Sequence, residues 1–133
     1  MQDGTLLLRD ILPSAAIALA PTATLHEALG VLRRGRLVAA PVIANGSVLG
    51  TISVSGMDAW LARAHIGDAE LDFGSHTVEE VMTRRVIVLA PHAALDTALD
   101  AMRGLDVEHI VVMDGRAYMG LVSMADVLRS RTR

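Results

Sequence analysis

The chain has no cysteine, and among its 133 residues there is one tryptophan, one tyrosine and one phenylalanine. Without thiols there is no disulfide framework, no thiolate metal site and no cysteine nucleophile. With aromatics confined to Trp60, Phe73 and Tyr118, the core must be aliphatic, drawn from the Ala, Val, Leu, Ile and Met behind a hydrophobic content of 52%. The same shortage removes the platform on which unpaired bases stack. Charge of one sign is missing too. Twelve basic against 15 acidic residues leave a formal charge of −3, so no nucleic acid partner is expected. No long hydrophobic run occurs. The stretch "SAAIALAPTATL" is too short and too interrupted to span a bilayer, so no membrane association is expected. No basic stretch followed by an apolar segment heads the sequence, which points to a cytoplasmic protein.

What is present is a repeat, offset by seventy residues. Asp10-Ile11-Leu12 matches Glu80-Val81-Met82, and Pro21 matches Pro91. "LHEAL" matches "LDTAL", and "APVIANG" matches "HIVVMDG" with a one-residue slip that is restored before Gly50 and Gly120. Each copy opens on a short apolar strand, Ile17 to Leu19 or Val86 to Leu89, stopped by its proline. A helix follows with apolar residues at i, i+3, i+4 and i+7. In the first copy Thr24 and Glu27 have capping-box spacing at its start. Two strands come next, joined by Asn45-Gly46 or Asp114-Gly115, dipeptides suited to tight hairpins. A closing helix, about Met57 to Ile66 or Ala125 to Arg131, completes the order β-α-β-β-α.

The polar stretch "GDAELDFGSH" reads as a linker, and Thr77 with Glu80 predicts a short capped helix introducing the second copy. The organisation is therefore a first repeat over 1–66, a linker over 67–76 and a second repeat over 77–133. A copy of about 60 residues is marginal for a core of its own. The expected fold is α/β, with the two repeats packed sheet to sheet about a pseudo-twofold axis and two related clefts where they meet.

The second copy, "VEEVMTRRVIVLAPHAALDTALDAMRGLDVEHIVVMDGRAYMGLVSMADVL", resembles a CBS domain, the repeat named for cystathionine β-synthase. The first copy resembles a more divergent one, and the two together resemble the tandem pair called a Bateman module. The resemblance rests on the order, repeated in the two copies, of an acidic-apolar-Met-Thr-like opening, a Gly-closed hairpin and a final G-h-h-S-x-x-D, whose acid only the second copy keeps. It implies a regulatory module without catalysis of its own and with no required cofactor. Its regulatory ligand would be an adenosyl compound: AMP, ADP, ATP or S-adenosylmethionine. It also implies a homodimer and an unknown protein partner.

Residue by residue, the resemblance assigns Asp126 to ribose hydroxyls, Ser123 to the neighbourhood of phosphate and His109 to a phosphate-facing position. Val86, Ile87 and Val88 match the strand whose backbone reads the adenine edge. Elementary chemistry is compatible with these roles. A carboxylate accepts two hydrogen bonds from adjacent hydroxyls, the helix dipole favours charge at Asp126, and amides at a helix start suit an anion. The first copy places Gly56 where the acid would be, and Ala39 and Ala40 where the second has Glu108 and His109.

Other readings of the same residues stand beside these. Asp126 also suits a cap on its own helix, and His109 could face solvent from an alternating strand. A ligand-free scaffold that only dimerises is the alternative function. His65, Asp68, Glu70, Asp72 and His76 fail the calcium-loop pattern, since Phe73 follows where glycine is needed. Ser123, His109 and Asp126 lack a nucleophile elbow, so no enzyme is expected. Trp60, Leu61 and Ala64 form a helical stripe that predicts a self-association surface.

Overall fold

The computed structural model describes residues 5–13, 16–64 and 73–131. Helix α1 (Leu25–Arg34) forms where the 3.6-residue spacing is strongest, and it buries Leu25, Ala28 and Leu32 completely. Its start is the reciprocal box expected from sequence. Glu27 N–H donates to Thr24 Oγ1 at 3.0 Å, and Thr24 N–H donates to Glu27 Oε1 at 2.8 Å. Strands β1 (Ala39–Ala44) and β2 (Ser47–Ser53) pair antiparallel around a hairpin in which Asn45 and Gly46 both have positive φ. Helix α2 (Val54–Ala64) begins where β2 ends.

The second copy repeats this plan seventy residues later. Strand β3 (Ile87–Leu89) precedes α4 (Leu95–Leu105), then β4 (His109–Asp114), β5 (Ala117–Ser123) and α5 (Met124–Arg131). Register is conserved between the copies down to the irregularities. Ala39 faces Ser53 as His109 faces Ser123, and the ladder slips between Val42 and Ile43 as between Val112 and Met113.

Two differences from the sequence reading have physical causes. The opening strand of the first copy shrinks to one parallel bridge, Leu19 to Val42, whereas β3 pairs with β4 over three residues. Leu19 lies between Ala18 and Ala20, which give a strand little to pack, while Ile87 and Val88 are β-branched. Val86 lies just outside β3. The closing helices also start earlier than Met57 and Ala125. Val54 N–H donates to Val38 C=O at 2.9 Å and Met124 N–H to Glu108 C=O at 2.8 Å, so strand passes into helix without a loop.

Each copy's opening segment packs on the other copy's core. A 3-10 turn over Leu8–Ile11 lies against the second repeat: Leu8 N–H donates to Ala93 C=O and Arg9 N–H to Pro91 C=O, both at 2.8 Å. Helix α3 (Val78–Val81) makes the same bonds to the first repeat. Val78 N–H donates to Ala23 C=O at 2.8 Å and Glu79 N–H to Pro21 C=O at 3.2 Å. Leu8 and Val78, both fully buried, occupy equivalent places in two separate aliphatic clusters. One cluster contains Leu8, Leu95, Leu99, Met102 and Ile110; the other contains Val78, Leu25, Leu32, Ile52 and Met57. The compact units follow this exchange. One comprises residues 18–84, the other residues 85–133 with the segment up to residue 17. The helix capped by Thr77 thus exists as expected, but it completes the first repeat's core rather than the second's.

Leu8→Ala should therefore behave as a core mutation of the second repeat, costing about 2–5 kcal/mol. Hydrogen exchange should lose protection in α4 and β4 while β1 and β2 keep theirs. Equal loss in both units would contradict this packing. The capping acids add a pH dependence. Glu27 and Glu80 are held below 4.5 chiefly by the backbone N–H groups of Thr24 and Thr77. Their stabilisation is present above pH 4.5 and is lost as pH falls through the lowered folded values. Glu27→Gln should reduce the acid sensitivity of the melting temperature without abolishing the fold.

Candidate functional site

The side chains that the sequence singled out converge at one end of the β4–β5 ladder. His109 opens β4, and Ser123, directly opposite, closes β5. Directly paired residues of an antiparallel ladder point to the same face, so imidazole and hydroxyl share a side of the sheet. Helix α5 starts at the next residue and carries Asp126 in its first turn. Ile87 pairs with Ile110 on the other flank of β4, which sets β3 beside the same strand end. Of the β3 segment, Ile87 is buried in the core and Val88 is 44% exposed.

Ser123 and Asp126 cap each other. Asp126 N–H donates to Ser123 Oγ at 3.0 Å, and Ser123 N–H donates to Asp126 Oδ2 at 3.1 Å. Asp126 Oδ1 accepts from Arg129 Nη2 at 2.5 Å. The structural role considered for Asp126 is thus present. It leaves chemistry available, because each carboxylate oxygen has a further acceptor site and the Ser123 hydroxyl still has its hydrogen to donate. The anion site expected from the helix amides is smaller than the sequence suggested. Met124 N–H is taken by Glu108 C=O and Asp126 N–H by Ser123.

His109 is partly buried rather than turned fully to solvent. Burial lowers its pKa below the ordinary 6.5, while Glu108 and Asp126 act in the opposite direction. The imidazole is therefore neutral at pH 7 and meets an approaching anion as a hydrogen-bonding group rather than as a fixed cation.

The first repeat has the same backbone and less chemistry. Gly56 N–H donates to Ser53 Oγ at 2.9 Å, reproducing half of the pair without the carboxylate. The slip expected in this strand is absent: Ala39, not Ala40, is the counterpart of His109, since Ala39 faces Ser53 where His109 faces Ser123. Sequence reasoning missed Arg129, although Asp126 and Arg129 at i,i+3 is a recognisable helical ion-pair spacing.

Two other expectations concern the closing helix and the linker. Trp60 is partly buried: it packs against the first repeat's core cluster and meets His76 edge-on with ring centroids 4.9 Å apart. The helical stripe is therefore partly covered from within. Of the acidic linker set, His65, Asp68, Glu70 and Asp72 lie outside the described residues. His76 Nδ1 lies 3.1 Å from Glu80 Oε1. Among the described residues no group of three His, Asp or Glu could hold a metal ion, and no helix is long and apolar enough to cross a membrane.

Comparison with known proteins gives one family. The CBS domain model matches twice, over residues 8–61 and 78–133. Among solved structures, the CBS-domain protein ATU1752 from Agrobacterium tumefaciens superposes with a TM-score of 0.77 at 22% identity, covering 95% of this chain and 99% of that one. The CBS pair of protein MJ0100, solved with 5′-methylthioadenosine and S-adenosyl-L-methionine, gives 0.80 at 24% identity, covering 96% and 97%. The CBS domain of a CBS-domain-containing membrane protein from Sphaerobacter thermophilus gives 0.78 at 25%, covering 94% and 87%. No curated protein matches in sequence.

The environment of His109 yields a pH prediction. Its folded pKa lies below the unfolded one, so the stability linked to the neutral ring is present above pH 6.5 and falls as pH drops below it. An NMR titration should place the His109 midpoint below 6.5, and a midpoint above it would contradict the burial described.

Proposed function

Because this chain belongs to the CBS-domain family, as a tandem pair, we propose that it is a regulatory module binding an adenosyl compound through its second repeat. The observation that carries this reading is the juxtaposition of Ser123 and Asp126 at the start of α5 with His109 directly across the ladder. Asp126 would accept the two ribose hydroxyls, Ser123 would donate to phosphate, and His109 would hydrogen-bond the same group. The Val86–Val88 backbone would read the adenine edge, with aliphatic side chains packing the ring.

The ligand classes that fit are AMP, ADP, ATP and S-adenosylmethionine. The two adenosyl compounds held by the MJ0100 pair, a protein of the same fold, support that class. The reading assigns no catalytic residue and requires no cofactor. It includes self-association as a homodimer, supported by apolar side chains the units leave uncovered: Val38 is 70% exposed and Leu105 50%. An isologous twofold contact is the expected form, and sedimentation should give twice the 14.1 kDa chain mass.

A second reading has its own observation. The Ser123–Asp126 pair closes on itself as a cap, and the first repeat keeps half of it with no acid at all. In that reading the protein is a scaffold that dimerises without a small ligand. Calorimetric titration with AMP, ADP, ATP and S-adenosylmethionine separates the two, and a flat response to all four selects the scaffold.

If Asp126 holds ribose, Asp126→Ala should weaken AMP by roughly ten- to a hundredfold, the equivalent of one charge-assisted hydrogen bond of about 1.5–3 kcal/mol. Circular dichroism must show a folded variant, since the cap is lost as well. Gly56→Asp serves as the matched control and should leave the Asp126 site unchanged. A Cβ at position 56 would stand 2.8 Å from Ser53 Oγ, a hydroxyl whose equivalent in the second repeat accommodates an acid. Wild-type AMP affinity in folded Asp126→Ala would remove the ribose assignment.

A further inference from the structure

We infer that Arg129 is a specificity-determining residue of the second repeat, which admits a phosphate-bearing nucleotide by neutralising Asp126. The inference rests on the nucleotide-binding reading above and adds to it the discrimination between charged and neutral ligands. Geometry supplies the first support. Arg129 Nη2 lies 2.5 Å from Asp126 Oδ1, while Ser123 N–H holds Oδ2. The guanidinium side chain is 71% exposed, so as a surface pair it contributes little to folding.

The internal repeat supplies the second. Seventy residues earlier the acid is Gly56 and the arginine is Ala59. That helix still starts in the same way, with Gly56 N–H on Ser53 Oγ. The helix start therefore requires neither charge, and in this chain the two are present together or absent together. A pair kept only in the repeat that carries the ribose acid is explained by the ligand more readily than by the fold.

Electrostatics gives the direction. Glu108 and Asp126 both act on His109 at this strand end, and with the imidazole neutral they bring two negative charges. Arg129 brings one positive charge. Arg131, the other basic residue in the last turn of α5, is paired with Asp96 at 2.5 Å and does not replace it. A nucleotide whose ribose sits on Asp126 carries its phosphate one sugar ring away. Without Arg129 that phosphate meets an uncompensated carboxylate, whereas a neutral nucleoside meets no repulsion. Arg129 should therefore govern the ratio of AMP to adenosine affinity rather than the affinity for the nucleoside.

Calorimetry at low ionic strength with AMP and with adenosine, on the wild-type chain, Arg129→Gln and Arg129→Lys, tests this. Arg129→Gln should lose about five- to tenfold in AMP affinity and keep its adenosine affinity, as expected for removing one unit charge near a phosphate. Arg129→Lys should restore most of the ratio, and the selective loss should shrink at high salt. Thermal unfolding of each variant confirms that the fold is intact. If Arg129→Gln weakens both ligands alike, or neither, while the wild type binds, the inference fails and the nucleotide site stands. If the wild type binds neither AMP nor adenosine, the nucleotide reading fails and the inference falls with it.

Discussion

Leu8 and Val78 stand seventy residues apart in the chain and fill the same position in two different cores, each donating its backbone N–H to an alanine carbonyl of the repeat it does not precede. This exchanged docking is the constraint on which both units depend. Without it, Leu25 and Leu95 would lose the backbone partners of their own N–H groups, His76 C=O at 2.9 Å and Leu6 C=O at 3.1 Å. Both helices that open the two cores would then begin with an unsatisfied donor beside a gap the size of a buried aliphatic side chain. A repeat of about 60 residues is marginal alone, and here each is completed by residues from outside its own sequence copy.

The same exchange explains two glycines that turn chemistry does not. A Cβ on Gly50 would stand 2.3 Å from Thr83 C=O, and one on Gly120 would stand 2.8 Å from Pro13 Cδ. Thr83 and Pro13 follow α3 and the 3-10 turn, so the docked segments run directly over the β-strands that carry these glycines. Thr51 and Thr83 even exchange backbone bonds at 3.0 and 2.9 Å, whereas Pro13, at the equivalent place, has no N–H to offer. Symmetry of backbone is thus maintained by packing, while the side chains on it diverge.

Much of this was legible in the sequence, for reasons that are local. Capping boxes, hairpin dipeptides and 3.6-residue spacing act over a few residues, so α1, α4 and the Asn45-Gly46 turn could be read directly. In the second copy Asp114 pairs with Ala117 as the last residue of β4, and the turn falls one residue later, at Gly115 and Arg116. The seventy-residue offset extended the reading from the better copy to the poorer one. Which core α3 would complete was not legible, because Val78 is equally apolar in either place and only the tertiary bonds decide. The early start of α2 was hidden for a similar reason. Val54, a β-branched residue with weak helix propensity, enters the helix because its N–H finds Val38 C=O across the sheet. Of the candidate site, Ser123 and Asp126 were legible as a spacing, and His109 only through the family resemblance. The partial burial of the imidazole and the occupation of Met124 and Asp126 amides depend on neighbours that no spacing reveals.

The cap at the start of α5 and the ligand role proposed for the same residues are complementary rather than competing. A carboxylate that already holds Ser123 N–H on one oxygen and Arg129 on the other has one orientation before any ligand arrives. Immobilising a free side chain on binding costs about 0.5–1.5 kcal/mol, and here that cost is met in folding by bonds the helix start makes in any case. The first repeat shows the separability of the two functions. Ser53 and Gly56 retain the backbone half of the cap, so the helix still begins where it should, while the acid and its arginine are both gone. A duplicated unit can lose its charged pair without losing its fold, because the pair sits on a junction that backbone donors already satisfy. The asymmetry between the repeats therefore lies in the chemistry of one helical turn, on a framework that is otherwise the same twice.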